Sequence, residues 1–214
     1  MMQHRMMVGT MIAMPVKECF ADRMRRIAAR NLREASMDVI EKHPDSARWY
    51  CLHVAKGRET AVENDLRAAN VEVFVPRERE ILVRHGRKIE VDTPFFPGYL
   101  LVRCVPSAAA FAGLRRQRHV LDIIGGSDGR YHVIRDEAIN AFKNITLAGI
   151  PRTATDKTFK EGDEADIVGG PFVGFYCLIL AVKWSRQAKA RVLISLPGRQ
   201  FEIDSMPLAF LKKL

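Results

Sequence analysis

The sequence predicts an α+β protein in two parts, an antiparallel sheet with helices packed on it, followed by a small β-barrel. Two observations lead to this prediction. Between residues 47 and 145, short apolar runs are mixed with helical patterns, and several runs are joined by hairpin-length turns. Between residues 159 and 214, short strand-like runs are punctuated at regular intervals by glycine and proline, which is typical of a small closed barrel.

Residues 1–46 form an extension ahead of the sheet. Phe20, Met24 and Ile27 are spaced i, i+4 and i+7, which predicts one face of a helix, and arginines crowd its other positions. A helix that binds nucleic acid or a partner is one interpretation, and a solvated, partly ordered segment is the other. Because the apolar face is incomplete, we expect a solvated segment whose removal leaves folding nearly unchanged.

Residues 47–145 hold the elements of the sheet domain. The continuous apolar run at 99–102 predicts a buried strand. Arg84-His85-Gly86-Arg87 lies between two strand-like runs and predicts a hairpin turn. Ser107 and Asp136 are placed to begin two helices. Further strands are predicted at 48–54, 71–75 and 120–124, with a helix that carries Val62 and Leu66.

Residues 146–158 are small and polar, with Gly149 and Pro151, and predict a flexible linker. The barrel strands are predicted at 165–168, 176–182, 190–194, 200–203 and 208–211. We expect the two domains to tumble separately unless the barrel segment docks on the first domain, in which case it would become helical. Its Val/Ile-rich strands and turn glycines favour the barrel.

Composition limits the classes of function. Basic residues exceed acidic ones, 34 against 25, and the excess is spread along the chain. A positive charge spread in this way suits a protein that works near nucleic acid, although a basic soluble protein needs no such partner. The four cysteines are too widely spaced for a metal or redox motif, which favours the reducing cytoplasm. With no long apolar span, phosphate-binding loop or catalytic constellation, we expect no membrane segment, no cofactor, no metal and no enzymatic activity.

Five stretches of the chain resemble the NusG family in order and spacing. They are Trp49-Tyr50, Phe95–Val102, Ile123–Gly126, residues 159–175 with their Gly-Pro-Phe, and residues 196–203 with their Leu-Pro-Gly-Arg. The resemblance implies a NusG N-terminal domain followed by a KOW domain, which is a five-stranded SH3-like barrel. It also implies a transcription elongation factor that binds the clamp helices of RNA polymerase, reduces pausing and modulates termination or antitermination. The barrel would recruit either Rho or a small-subunit ribosomal protein.

The sequence departs from the family pattern at two places. Cys177 stands where the family barrel usually has glycine, and we expect a strand interior to accept it. Ala68-Ala69-Asn70 is a tight connection where housekeeping members have a longer one, as in the specialised paralogues related to RfaH. The resemblance therefore implies a specialised paralogue.

An aromatic group surrounds Pro97-Gly98, a dipeptide that can kink the chain where a strand begins. Phe95 and Phe96 precede the kink and Tyr99 follows it, so the three rings can form one apolar surface of the kind that anchors interfaces. Core packing of all three rings is the alternative. The resemblance assigns Phe74, Phe95, Phe96 and Tyr99 to the polymerase contact.

Two basic groups are candidates for contact with upstream or non-template DNA. Arg84, Arg87 and Lys88 lie on the predicted hairpin, where a solvated turn is the alternative. Arg115 and Arg116 end a predicted helix, whose negative pole alone would explain them. In the barrel, the resemblance assigns Phe172, Phe175 and Arg199 to partner binding. The protein is expected to be a monomer, and an RNA-binding, ribosome-associated KOW protein is the alternative function.

Overall fold

The computed structural model describes residues 19–84, 87–125, 129–148, 158–184 and 188–214. The predicted linker therefore lies largely outside the described residues. The elements before it are α1 (Phe20–Arg33), α2 (Met37–Lys42), β1 (Arg48–Val54), α3 (Glu59–Ala68), β2 (Glu72–Phe74), β3 (Arg77–Arg84), β4 (Arg87–Pro94), β5 (Tyr99–Cys104), α4 (Ala108–Arg115), β6 (Val120–Ile123) and α5 (Asp136–Ala148).

The first domain is built on an antiparallel sheet of order β2-β5-β1-β6. Tyr50, Leu52 and Val54 of β1 point to one face, where α3 and α4 cover them. Trp49 and Cys51 point to the opposite face, which carries α5. Alternation of this kind follows from the two-residue period of a strand, and because both faces are covered, β1 is apolar almost throughout.

The effect of removing residues 1–46 stays a prediction. Helix α1 is exposed at Phe20 but packs against α4 near its C-terminal end, so the extension is solvated only in part. Gly113 of α4 gives the reason: a Cβ atom there would stand 2.5 Å from the backbone nitrogen of Leu32, so only glycine permits this approach. Leu32 is 7% exposed and Ala35 is fully buried. Helix α2 is fixed in turn by Asn70, whose Nδ2 donates to Asp38 Oδ1 at 2.7 Å.

Strands β3 and β4 form a separate two-stranded sheet. Their register pairs Arg84 with Arg87, which confirms the predicted hairpin. The two residues of its tip, 85 and 86, lie outside the described residues, as do the side chains of residues 80–84.

The second domain is a five-stranded barrel-like sheet of order β10-β9-β8-β7-β11. Cys177 is buried inside β8 opposite Ile194, so the strand accepts it as expected. The last predicted strand is shifted, because Leu208–Phe210 forms a single 3-10 turn before the strand begins. The strands are β7 (Glu164–Ile167), β8 (Tyr176–Lys183), β9 (Lys189–Leu196), β10 (Arg199–Pro207) and β11 (Leu211–Lys213).

The barrel packs on the α5 side of the first sheet and shares one apolar core with it. Docking thus occurs with the segment folded as a barrel, and the predicted barrel is confirmed. Docking is the exception that the prediction of separate tumbling allowed, but the expectation that a docked segment becomes helical is wrong. The physical reason is the amount of apolar surface on this face, since aromatic rings from both domains meet there.

Candidate functional site

The loop that carries the aromatic group is held by a buried carboxylate. Gly98 has a φ of +87°, a conformation that favours glycine, and its backbone nitrogen donates to Glu59 Oε1 at 2.6 Å. The same carboxylate oxygen accepts from the backbone nitrogen of Gly57 at 3.1 Å. Glu59 lies in the first turn of α3, and it therefore fixes where Tyr99 enters β5.

Phe95, Phe96 and Tyr99, which we call the aromatic patch, are each 2% exposed. The ring of Phe142 from α5 lies 5.2 Å from Phe95. The ring of Phe172 from the barrel lies 5.3 Å from Phe96 and 5.7 Å from Tyr99. The three rings do form one apolar surface, but in this arrangement the surface is covered. Phe74, the fourth predicted residue, is half-buried beneath the ammonium group of Lys143.

Two hydrogen bonds cross from the patch to β10. The Tyr99 hydroxyl donates to the carbonyl oxygen of Glu202 at 2.7 Å. The Ser205 hydroxyl donates to the carbonyl oxygen of Phe95 at 3.0 Å. Burial, and after it the nearby Cys51, Asp204 and Glu202, raise the pKa of Tyr99. Its hydroxyl therefore stays protonated and remains a donor.

Among the described residues, three ion pairs border the contact, and each joins one residue of the sheet domain to one of the barrel. Lys56 Nζ lies 2.5 Å from Asp204 Oδ2, Glu78 pairs with Lys189, and Asp122 pairs with Arg199. The Lys189 and Glu78 side chains are the least exposed of the three pairs. The partners are far apart in sequence, so no local pattern could have revealed them.

Two histidines lie at the same contact. The imidazole of His53 stacks on the Tyr99 ring with centroids 5.0 Å apart and meets the edge of Phe201 from the barrel. The imidazole of His132 lies 4.2 Å from the Phe175 ring. Burial lowers the pKa of both, and Lys56 lowers that of His53 further. Both rings are therefore held neutral in the docked arrangement.

The three residues assigned to partner binding in the barrel all face the sheet domain. Phe172 packs on the aromatic patch, Phe175 contacts His132, and Arg199 pairs with Asp122. The same docking therefore covers the aromatic patch and these three side chains.

The predicted DNA-binding residues have different surroundings. Arg87 and Lys88 are exposed on β4, and the side chain of Arg84 lies outside the described residues. Arg116 is exposed at the end of α4. Arg115 instead pairs with Asp122 at 3.4 Å, so it helps to hold the carboxylate that Arg199 also binds.

Within the described ranges, no helix is long and apolar enough to cross a membrane. No group of His, Cys, Asp or Glu side chains in that part of the chain is arranged to hold a metal ion.

The family model described as "Transcription termination factor nusG" matches residues 47–143, the sheet domain that carries the aromatic patch. The chain is 28% identical over 168 residues to the transcription termination/antitermination protein NusG of Escherichia coli K12, covering 73% of this chain and 91% of that protein. The NusG of Yersinia pestis is 29% identical over the same shares. Over residues 47–143 the chain is therefore similar to the NusG family.

The proteins that it resembles are named as transcription termination and antitermination factors. A solved structure of domain interaction in Thermotoga maritima NusG covers 78% of this chain and 97% of its own, at 23% identity and a TM-score of 0.37. The overall superposition is poor, so the similarity to the NusG family rests on the sequence comparisons.

Proposed function

We propose that this chain is a cytoplasmic, monomeric elongation factor that binds the clamp helices of RNA polymerase through Phe74, Phe95, Phe96 and Tyr99. One observation supports this most: the aromatic patch is covered in part by another domain, the barrel, whose Phe172 packs on Phe96 and Tyr99. Clustered aromatic side chains are the usual anchors of protein interfaces. Bound in this way, the protein would reduce pausing and modulate termination or antitermination.

Polymerase and barrel compete for the aromatic patch in this proposal. While Phe172 covers Phe96 and Tyr99, the patch is inaccessible. The apparent affinity for polymerase is then reduced by the fraction of molecules that are open. A reduced affinity in the closed form suits a specialised paralogue, which has to avoid binding polymerase without a signal.

Opening would release two surfaces together. Phe172, Phe175 and Arg199 leave the sheet domain when the aromatic patch becomes free. We assign these three residues to the contact with Rho or with a small-subunit ribosomal protein. On the sheet domain, Arg84, Arg87, Lys88 and Arg116 are assigned to upstream or non-template DNA, with Arg115 at their edge.

The test measures polymerase binding by the full chain in an opened background. Glu78→Lys places two cations together at the domain contact and should strengthen binding. Adding Phe96→Ala or Tyr99→Ala should then weaken binding by roughly thirtyfold, the equivalent of about 2 kcal/mol for an aromatic anchor. Melting curves establish that each variant is folded.

Tyr99→Phe is the matched control, because it keeps the ring and loses only the hydroxyl. In the opened background it should bind polymerase nearly normally. If folded Phe96→Ala and Tyr99→Ala variants bind with full affinity, the contact site is wrong. If the chain recovers ribosomal subunits instead of polymerase from native lysate, the ribosome-associated alternative replaces the proposal.

A further inference from the structure

Helix α1 carries a row of arginines along its outer side. Arg23, Arg26, Arg30 and Arg33 are spaced i, i+3, i+7 and i+10, and all four are exposed. At 3.6 residues per turn they fall within an arc of about 80° and extend over about 15 Å of helix. Leu32, on the opposite side, packs against α4. We call these four residues the arginine row.

Structural roles do not explain the whole row. Arg30 and Arg33 lie in the last turn, where the helix dipole favours cations. Arg23 lies in the first turn, where the dipole disfavours a cation, and each pair of like charges at i+3 or i+4 within the row costs the helix about 0.2–0.5 kcal/mol, a cost that Asp22 of the same helix offsets in part. The row faces away from α4, so the arginine stems do not cover the core. A polyanionic partner would offset these unfavourable contacts.

We propose that the arginine row binds the phosphate backbone of double-stranded DNA. A row of this length lies alongside roughly nine phosphate charges of a duplex. Helix α1 carries one aromatic side chain, the exposed Phe20, whereas surfaces that bind single strands stack successive bases on several aromatic rings. Arg116 lies one turn beyond Gly113, where α4 meets α1, and adds an exposed cation at that end.

Packing of α1 argues against a lipid surface as the partner. A helix that lies in a membrane interface inserts a free apolar face into it. Here Leu32 and Ala35 are buried in the protein, and Gly113 allows the two helices to approach closely. Phe20 is exposed at the first turn, but a single ring is a small apolar surface.

This contact goes beyond the proposed function, because the arginine row and the aromatic patch belong to opposite sides of the sheet. Helices α1 and α4 pack with Leu52 and Leu114, whereas the barrel packs with Trp49 and Tyr99. The arginine row is therefore exposed while the barrel is docked. DNA binding through it requires neither polymerase nor opening of the domains.

The experiment measures binding of the full chain to a fluorescent 30-base-pair duplex of arbitrary sequence over a range of salt concentrations. The test variant changes the four residues of the arginine row to glutamine. The control variant changes Arg135, Lys160, Lys183 and Lys212 to glutamine, which removes the same charge from exposed positions elsewhere. A third variant changes the arginine row to lysine, and melting curves accompany all four proteins.

The test variant should lose at least about tenfold in affinity at 0.1 M salt, and its slope of log affinity against log salt should fall by about three units. The control and lysine variants should stay within about threefold of the unaltered chain, because the contact depends on charge at that place. The proposal is overturned if the test variant binds like the unaltered chain, or if the control loses as much. Preference for single-stranded RNA or for anionic vesicles over the duplex also overturns it.

Discussion

The two faces of the central sheet are covered in different ways. On one face, α1, α3 and α4 close the core with aliphatic side chains such as Leu32, Leu66 and Leu114. On the other face, the barrel adds aromatic contacts bordered by ion pairs and hydrogen bonds. The first cover is mainly apolar, although α3 also buries Glu59 and Glu63, whereas the second has a polar border that water can replace. The difference suggests that one cover is permanent and the other is reversible.

The largest expected effect concerns the permanent cover. Removal of residues 1–46 takes away α1 and α2 and exposes the surface that Leu32, Ala35 and Ile40 fill. Burial of large apolar side chains contributes about 1.5–3 kcal/mol each, so the melting temperature should fall by about 10 °C. Thermal denaturation measures it. A fall of less than about 2 °C would mean that α1 does not stabilise the sheet domain.

The next largest effect concerns the reversible cover. Glu78→Lys replaces an ion pair by two like charges at a partly buried position beside the barrel, so the domains should separate while both stay folded. Small-angle scattering should report a larger radius of gyration. The exchanged pair, Glu78→Lys with Lys189→Glu, should return the chain to the compact form. A compact Glu78→Lys variant would show that this pair does not hold the barrel.

A smaller effect is expected for Tyr99→Phe in the otherwise unaltered chain. The variant loses the hydrogen bond to the Glu202 carbonyl, which contributes about 1 kcal/mol, so the open fraction should rise roughly fivefold. Backbone NMR shifts of β10 would detect it. Tyr50→Phe is the matched control, because Tyr50 is buried on the other face of the sheet. Equal shifts in both variants would contradict a role for the Tyr99 hydroxyl.

The smallest effect is a dependence of docking on pH. Burial lowers the pKa of His53 and His132 below the ordinary 6.5 in the docked chain. As pH falls through 6.5, separated domains bind protons that the docked form excludes, so docking weakens below that pH and is unaffected above it. NMR shifts of the contact between pH 7.5 and 5.5 measure the change. His53→Gln with His132→Gln should remove most of this dependence, and an unchanged dependence would rule out these two rings.

The sequence predicted most elements but not the packing between them. Alternation along β1 and the hairpin at Arg84 and Arg87 are local patterns, and both are confirmed. The contact of α1 with α4 depends on Gly113, which lies more than 75 positions later in the chain. A single glycine within a helical pattern does not indicate which other helix will pack against it. Hydrophobic periodicity relates neighbouring residues of one helix or strand, so it cannot predict contacts between residues this far apart in sequence.

The candidate site shows the same limit. Its aromatic residues were predicted because Pro97-Gly98 groups them in sequence, but their burial depends on Phe172 and Phe210 of the barrel. Glu59 was missed because a glutamate in the first turn of a helix is ordinary, and only the fold shows its bond to Gly98. A sequence pattern thus indicates which residues can form a surface, whereas exposure depends on the whole chain.

Asp122 and Asp204 each have a second cation within their own domain. Asp122 also contacts Arg115, and Asp204 also lies 3.7 Å from Arg191. When the barrel separates, Asp122 loses Arg199 but keeps Arg115, and Asp204 loses Lys56 but keeps Arg191. At these two pairs neither domain is left with a bare anion, so separation avoids part of the electrostatic penalty that breaking an ion pair usually carries, whereas Glu78 loses Lys189. The contact between the two domains is thus suited to repeated dissociation and docking.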